Sequence, residues 1–398
     1  MLTEHLMTLA PTAIGLRHME QTKAGADITS NVTGSGVLDR INLGLVRLPG
    51  HVMTELCLAT ALIGAGSFGA VRGTHYLRRT VAPETVAPPP SSAPPGARAD
   101  LPNLPDLRVA LETTGTFLGM SDELLLDRVR NQPVARFKLN HGGSSLSFRV
   151  DFADGSRAAW KPMQTNTQSI PRKEVAAYRL NRLLGLHAVP PAAPRAVTRE
   201  ELFEHLHPDS LVALPRIKAE TVFGPDGRTI GTASYWIPII KDSGFDTPDG
   251  RRQTQTWLTI GQEIPAERLS MAGQVSTLVV FDFLTANPDR YSGGNMKMSE
   301  DGKQLYYMDN TMSFYVDGNE RTREVLFKTQ RFSRALYEAL DKVTVANLQR
   351  ALAEELGTPY EILTPAEITA VATRRAVVQR YIADLIAQHG AREVLYFP

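Results

Sequence analysis

The chain has 398 residues, 42% of them hydrophobic and 21% charged, the make-up of a globular protein long enough for two domains or for one large two-lobed domain with an extension. Lys and Arg total 43 against 42 Asp and Glu, so no overall field draws the chain to nucleic acid or an anionic membrane, and no nucleic-acid partner is expected. A single cysteine, Cys57, excludes an intramolecular disulfide and a cysteine-rich metal site and fits a cytoplasmic location.

Residues 1–80 form an N-terminal extension without strong periodicity, and no role is assigned to it. Within it, residues 56–71 run sixteen positions without a charge before Arg72, Arg78 and Arg79. A bilayer span takes about 20 apolar residues, and this run is diluted by Gly, Thr and Ser. A buried or irregular segment is therefore preferred to a membrane anchor. Residues 63–71, IGAGSFGAV, match the Gly-rich loop of ordinary protein kinases, which needs flanking strands and a lysine soon after. No lysine occurs between Lys23 and Lys138, so the match is set aside. Residues 81–105 are dense in proline, which fixes φ and removes donors, and read as an extended linker.

The domain proper is expected over 106–398. Ser121 is a plausible helix N-cap, followed by Asp122 and Glu123 where the helix dipole favours negative charge. Near residue 135 the pattern turns to alternation, with Asp154-Gly155 as a hairpin signal. Val175, Ala176, Tyr178, Leu180, Leu183 and Leu184 then form a helical stripe that Gly185 ends. Residues 232–240 read as a strand and 274–286 as an apolar helix. The loop NPDRYSGGN and a hairpin at Asp301-Gly302 follow. The end of the chain reads as helices over 331–342, 345–356 and from Pro365, the last with a Thr364–Glu367 capping box. Strands, one helix, strands and a helical half predict an α+β, bilobal fold, with a β-rich N-lobe over about 135–235, a C-lobe over about 236–398, and a cleft at their junction.

Phosphoryl transfer from ATP needs a lysine to neutralise phosphate, a carboxylate to hold that lysine, an Asp to take the hydroxyl proton, and an Asn and a second Asp to hold Mg²⁺. The sequence offers all five in order. Lys161 ends a strand after the turn Gly142-Gly143-Ser144, whose backbone N–H groups can approach phosphate closely. Glu174 lies on the next helix, within reach of that lysine. Asp289 and Asn295 share a polar loop behind the apolar helix. Asp309 leaves an apolar-aromatic run, where a carboxylate is costly unless something positive meets it. Taken singly each has a structural explanation: the Lys–Glu pair a solvated surface pair, the loop a turn. The combination is what points to chemistry.

These residues resemble the atypical kinases of the phosphatidylinositol 3-/4-kinase-like group, the HipA-type kinases and the secretory-pathway kinases of the Golgi casein kinase type. The shared features are Lys161-Pro162, Glu174 with Ala177-Tyr178 and Leu184-Gly185-Leu186, Asn287 to Arg290, and Asp309-Asn310, over residues 135–330. The resemblance implies an ATP- and Mg²⁺- or Mn²⁺-dependent kinase. Lys161 would contact ATP phosphates and Glu174 would orient it. Asp289 would be the catalytic base, Asn295 and Asp309 metal ligands, and the joining segment with Trp236 and Ile237 would hold adenine. The step from Asp289 to Asn295 is one residue longer than that pattern uses, and Tyr291 stands where a His is common. The acceptor expected is a protein Ser or Thr hydroxyl, and residues 315–331, mixed in charge rather than basic, favour a protein or a soluble metabolite over a lipid. A phosphoinositide or small alcohol, an inactive nucleotide-binding module, and transfer of AMP stay open as alternatives. His205 and His207 lack the spacing of a zinc site.

Overall fold

The computed structural model describes residues 116–398 apart from 293, 354 and 356–360. The extension, the uncharged run 56–71, the glycine-rich match at 63–71 and the proline-rich linker lie outside these residues. Among the described residues no helix is long and apolar enough to cross a membrane.

The described chain begins with a short hairpin, β1 (Thr116–Phe117) and β2 (Met120–Ser121), and helix α1 (Asp122–Asn131). Ser121 Oγ accepts from Leu124 N at 3.2 Å, the N-cap the sequence predicts. An antiparallel five-stranded sheet follows, built from β3 (Val134–Leu139), β4 (Phe148–Phe152), β5 (Arg157–Lys161), β6 (Ala192–Thr198) and β7 (Arg228–Tyr235) in the order β3-β4-β5-β7-β6. Alternation turns Phe148, Val150, Ala158 and Trp160 to the core. There the rings of Phe137, Phe148 and Trp160 meet with centroids 5.3–6.3 Å apart. The same parity puts Ala159 and Lys161 on the opposite face, and Pro162, which has no N–H to give the ladder, ends the strand there.

Helix α2 (Arg172–Leu183) lies between β5 and β6 in sequence, and its residues Lys173 to Asn181 are all buried. The shorter helices α3 (Arg199–Glu204) and α4 (Leu214–Glu220) precede β7. The strand-like run 232–240 is broken: β7 stops at Tyr235, and Pro238 lies in an irregular crossing to β8 (Ile240–Asp242). Strand β8 belongs to a second sheet with β9 (Met296–Ser299) and β10 (Leu305–Tyr307), in the order β10-β9-β8.

The remainder is helical: α5 (Pro248–Trp257), α6 (Leu269–Thr285), α7 (Glu320–Lys328), α8 (Arg334–Ala339), α9 (Val345–Ala353), α10 (Pro365–His389) and α11 (Ala391–Val394). Helix α6 begins five residues before the apolar run suggests, and the polar Gln274 within it is satisfied by the fold. Its Nε2 donates to Lys303 O at 2.7 Å and its Oε1 accepts from Leu305 N at 2.7 Å. Every residue of α6 from Val275 to Thr285 is buried, and the helix ends at Ala286 with φ +49°. Helix α10 opens on the predicted capping box between Thr364 and Glu367. The fold is therefore α+β, an antiparallel sheet followed by a mainly helical part, as the sequence predicts.

Candidate functional site

A cleft of about 230 Å³ lies between the outer face of the five-stranded sheet and the β9–β10 hairpin. From the sheet, Ala159 and Lys161 on β5 and Thr232 and Ser234 on β7 face it; Asn295 and Asp309 face it from the other side. Period-2 alternation is what gathers the sheet residues, since each pair is separated by one core-facing position.

Lys161 and Asp309 meet across this cleft, with Lys161 Nζ donating to Asp309 Oδ1 at 2.6 Å. Glu174 Oε1 stands 3.6 Å from the same nitrogen. Burial opposes charging Lys161, but Asp309 and Glu174 outweigh it and its pKa is raised. Burial likewise works against the Asp309 carboxylate, yet Lys161 and the hydroxyl of Thr311, which donates at 2.8 Å, hold its pKa below the ordinary range. For Glu174 burial wins and the pKa is raised, although Lys161 and Asn310 both favour the ionised form.

Asp309 has φ +51°, a left-handed conformation that Asp tolerates better than most residues. This turn drives Asn310 into the interior, where it is fully buried. Asn310 N donates to Glu174 Oε1 at 2.9 Å and Asn310 Nδ2 to Glu174 Oε2 at 3.2 Å. One carboxylate thereby faces both the lysine and the backbone that follows the cleft aspartate.

The loop 287–295 is organised by Arg290, which is 0% exposed. Its Nε and Nη2 donate to the Asp282 carboxylate at 3.1 Å, its Nη2 to Asn310 Oδ1 at 2.7 Å and its Nη1 to Asn295 O at 3.0 Å and to Met308 O. Burial pushes the Asp282 carboxyl up to about 6 despite the arginine. The loop opens as a short 3₁₀ turn in which Asn287 Oδ1 accepts from Asp289 N at 2.9 Å. Asn295 Nδ2 then donates to Asp289 Oδ2 at 2.9 Å and to Asp289 O at 3.0 Å. The extra loop residue therefore does not separate Asp289 from Asn295. Gly294 with φ +82° takes part in the return, its N donating to Asp246 Oδ2 at 2.8 Å.

Of the residues singled out in the sequence, Lys161, Glu174, Asn295 and Asp309 line one cleft, and Asp289 is joined to it through Asn295. Others are placed elsewhere. Gly142, Gly143 and Ser144 sit on the loop 140–147 and do not line the cleft; Ser147, at the base of that loop, does. Gly142 and Gly143 are exposed, with φ of +90° and +79°. Ile237 is turned into the core, and Trp236 is half-buried in the crossing beyond β7. The residues of this edge that face the cleft are Ser234 and Pro190. His205 and His207 serve local structure, His207 Nδ1 accepting from Asp209 N at 3.1 Å.

Asp282 and Asn310 belong to the hydrogen-bonded network around the cleft, and the sequence reading gave neither a role. A signal for Asp282 was present, a lone carboxylate inside an apolar helix, which must be paired when buried. Asn310 was visible only as part of a motif, because nothing local shows that its partner lies on α2.

No family model matches the chain, and no curated protein matches it. Solved structures with a similar fold do. They include the Golgi casein kinase with Mn/ADP bound, at a TM-score of 0.53 and 17% identity over 69% of this chain and 78% of that one. A further structure of the Golgi casein kinase gives the same values. Hydra Fam20 with sugar gives 0.52 and 17%, over 68% of this chain and 90% of that one. This chain thus has a fold similar to that of the Golgi casein kinase. Of the three groups its motifs resemble, these structures represent the Golgi casein kinase type.

Proposed function

We propose that the protein is a metal-dependent kinase that moves the γ-phosphate of ATP to a hydroxyl group, with a protein Ser or Thr as acceptor. One observation carries this assignment: Lys161, Glu174 and Asp309 form a single charged cluster, and the Asp289–Asn295 pair stands beside it in a fold similar to that of a kinase solved with Mn/ADP.

In this reading Lys161 neutralises phosphate oxygens. Glu174, fixed by two donations from Asn310, keeps the lysine aimed. Asp289 accepts the proton of the attacking hydroxyl, and its second oxygen is oriented by Ser292 Oγ, which donates to Oδ1 at 2.5 Å. The residues fit a hard divalent cation. Asn295 gives its amide hydrogens to Asp289, which leaves its carbonyl oxygen as a donor atom, and Lys161 and the Thr311 hydroxyl both engage Asp309 Oδ1 rather than Oδ2. Among those residues no group of three or more His, Cys, Asp or Glu forms a metal cluster. Mg²⁺ is commonly held by one or two carboxylates together with substrate phosphates, so Asp309 and Asn295 would suffice once nucleotide is present. The cation would neutralise charge on the transferring group.

Purified protein is incubated with γ-labelled ATP, Mg²⁺ or Mn²⁺ and generic protein, lipid and small-alcohol acceptors. Asp289→Ala and Asp309→Ala are each expected to lower transfer by about a thousandfold, the scale of losing a transition-state electrostatic contact. Transfer that persists in both variants would sink the assignment. ATP binding without turnover in the parent would favour a nucleotide-binding module instead.

A further inference from the structure

Helix α2 carries Glu174 but begins awkwardly. Its N-cap position is Pro171, which provides no side-chain cap, and its first two residues are Arg172 and Lys173. Arg172 and Lys173 oppose the helix dipole, whose N-terminal end is positive, while Glu174, the acidic residue of the same turn, is directed to Lys161 and Asn310. Lys173 is moreover 2% exposed, so its charge needs a partner inside the protein.

That partner is Glu367 of α10. Arg172 Nη1 donates to Glu367 Oε2 at 2.8 Å and Arg172 Nη2 to Oε1 at 3.1 Å, a bidentate pair. Lys173 Nζ stands 3.8 Å from Glu367 Oε1 and 4.4 Å from the centre of the Tyr315 ring, in the segment that follows Asp309. Glu367 also accepts from Thr364 N at 2.8 Å, closing the capping box of α10. One carboxylate therefore serves the N-termini of two helices, and the helix that has no cap of its own is the one bearing Glu174.

Granted the phosphotransfer assignment above, we propose that Glu367 is a positioning residue. Through Arg172 and Lys173 it holds α2 at the angle that delivers Glu174 to Lys161 and Asn310. It touches no reacting group, and its effect passes through Glu174. Lys173 also meets the Tyr315 ring, so the first turn of the helix contacts both α10 and the segment that follows Asp309.

The test is a double-mutant cycle of Glu174→Gln, Glu367→Gln and both together, read in two ways. In kcat/KM for ATP, E367Q alone is expected to cost up to about a hundredfold, the scale of a catalytic group displaced by a distant change. E174Q is expected to cost more, and the double variant no more than E174Q, because both changes break one path. In amide exchange without nucleotide, E367Q is expected to speed exchange along α2 about tenfold, as loss of a local anchor would. Thr364→Ala, which breaks the α10 cap but keeps the Glu367 charge, leaves α2 exchange unchanged. Losses that multiply in the double variant, or α2 exchange in E367Q equal to the parent's, overturn the proposal. If the parent transfers no phosphate, the kinase assignment fails on its own, and the exchange measurement alone decides whether Glu367 positions α2.

Discussion

Two glycine-bearing loops flank the cleft, and they are built in opposite ways. The loop 140–147 is fastened at its base, where Asn140 N donates to Ser147 O at 2.8 Å and buried Gln164 exchanges two hydrogen bonds with Leu146. Its tip is exposed, and no atom lies within 4 Å of where a Cβ would stand on Gly142 or Gly143. The loop 287–295 is fastened through its middle, by a fully buried arginine that reaches a helix, a strand end and a cleft asparagine at once. The contrast suits the proposed kinase reading. In that reading the carboxylate and amide oxygens of 287–295 would have to be held to a fraction of an ångström, whereas backbone N–H groups on the turn at 142–144 would need only to be able to approach.

The largest expected effect comes from breaking the anchored loop. Arg290→Leu leaves Asp282 buried and unpaired, and should lower stability by about 3–5 kcal/mol. Urea unfolding measures this, and a loss below about 1 kcal/mol, no more than an exposed pair contributes, would show that the loop is held by something else.

A smaller effect tests the Asp282–Arg290 pair through pH. The folded carboxyl of Asp282 lies at about 6, above its ordinary 3.8, so the folded chain binds that proton more tightly than the unfolded chain. This group's contribution to stability is fully present below 3.8 and is lost as pH rises through about 6. Relative to Asp282→Asn, the parent should therefore lose on the order of 2 kcal/mol between pH 4 and 7, at 1.36 kcal/mol per unit. Parallel stability–pH curves for the two proteins would refute it.

The smallest effect concerns the other loop. At φ of +90° and +79°, Gly142→Ala and Gly143→Ala each force an L-residue into a left-handed conformation, which costs about 1 kcal/mol. With no neighbour to clash, stability should fall by no more than that. KM for ATP should rise more than kcat falls, if the turn approaches phosphate. A fall in kcat alone, read in steady-state kinetics, would place the turn outside nucleotide binding.

Much of this was legible in the sequence because its causes are local. Alternation along β5 fixes that Lys161 faces away from Trp160, and the capping box at Thr364 and Glu367 starts α10 where the sequence says it should. Asp154-Gly155 makes the β4–β5 turn, with Gly155 at φ +82°. The glycines and the joining segment were harder. A turn sequence shows that the chain can bend, but its distance from the cleft depends on how the loop folds over the sheet. Likewise the run 232–240 has the composition of one strand and is divided between two sheets.

By itself, then, the sequence determined the alternation of the sheet strands around β5, helix α2, the apolar helix α6, the caps of α1 and α10, and the residue types a phosphotransfer site requires. Only the tertiary structure decided which of them meet. The Lys161–Asp309 contact spans 148 positions, the Glu174–Asn310 contact 136, and the Arg172–Glu367 contact 195. Pairings at such separations leave no local periodicity or propensity, because they arise from how the sheet and the helices pack, and a buried charge takes as its partner whichever group that packing brings within reach.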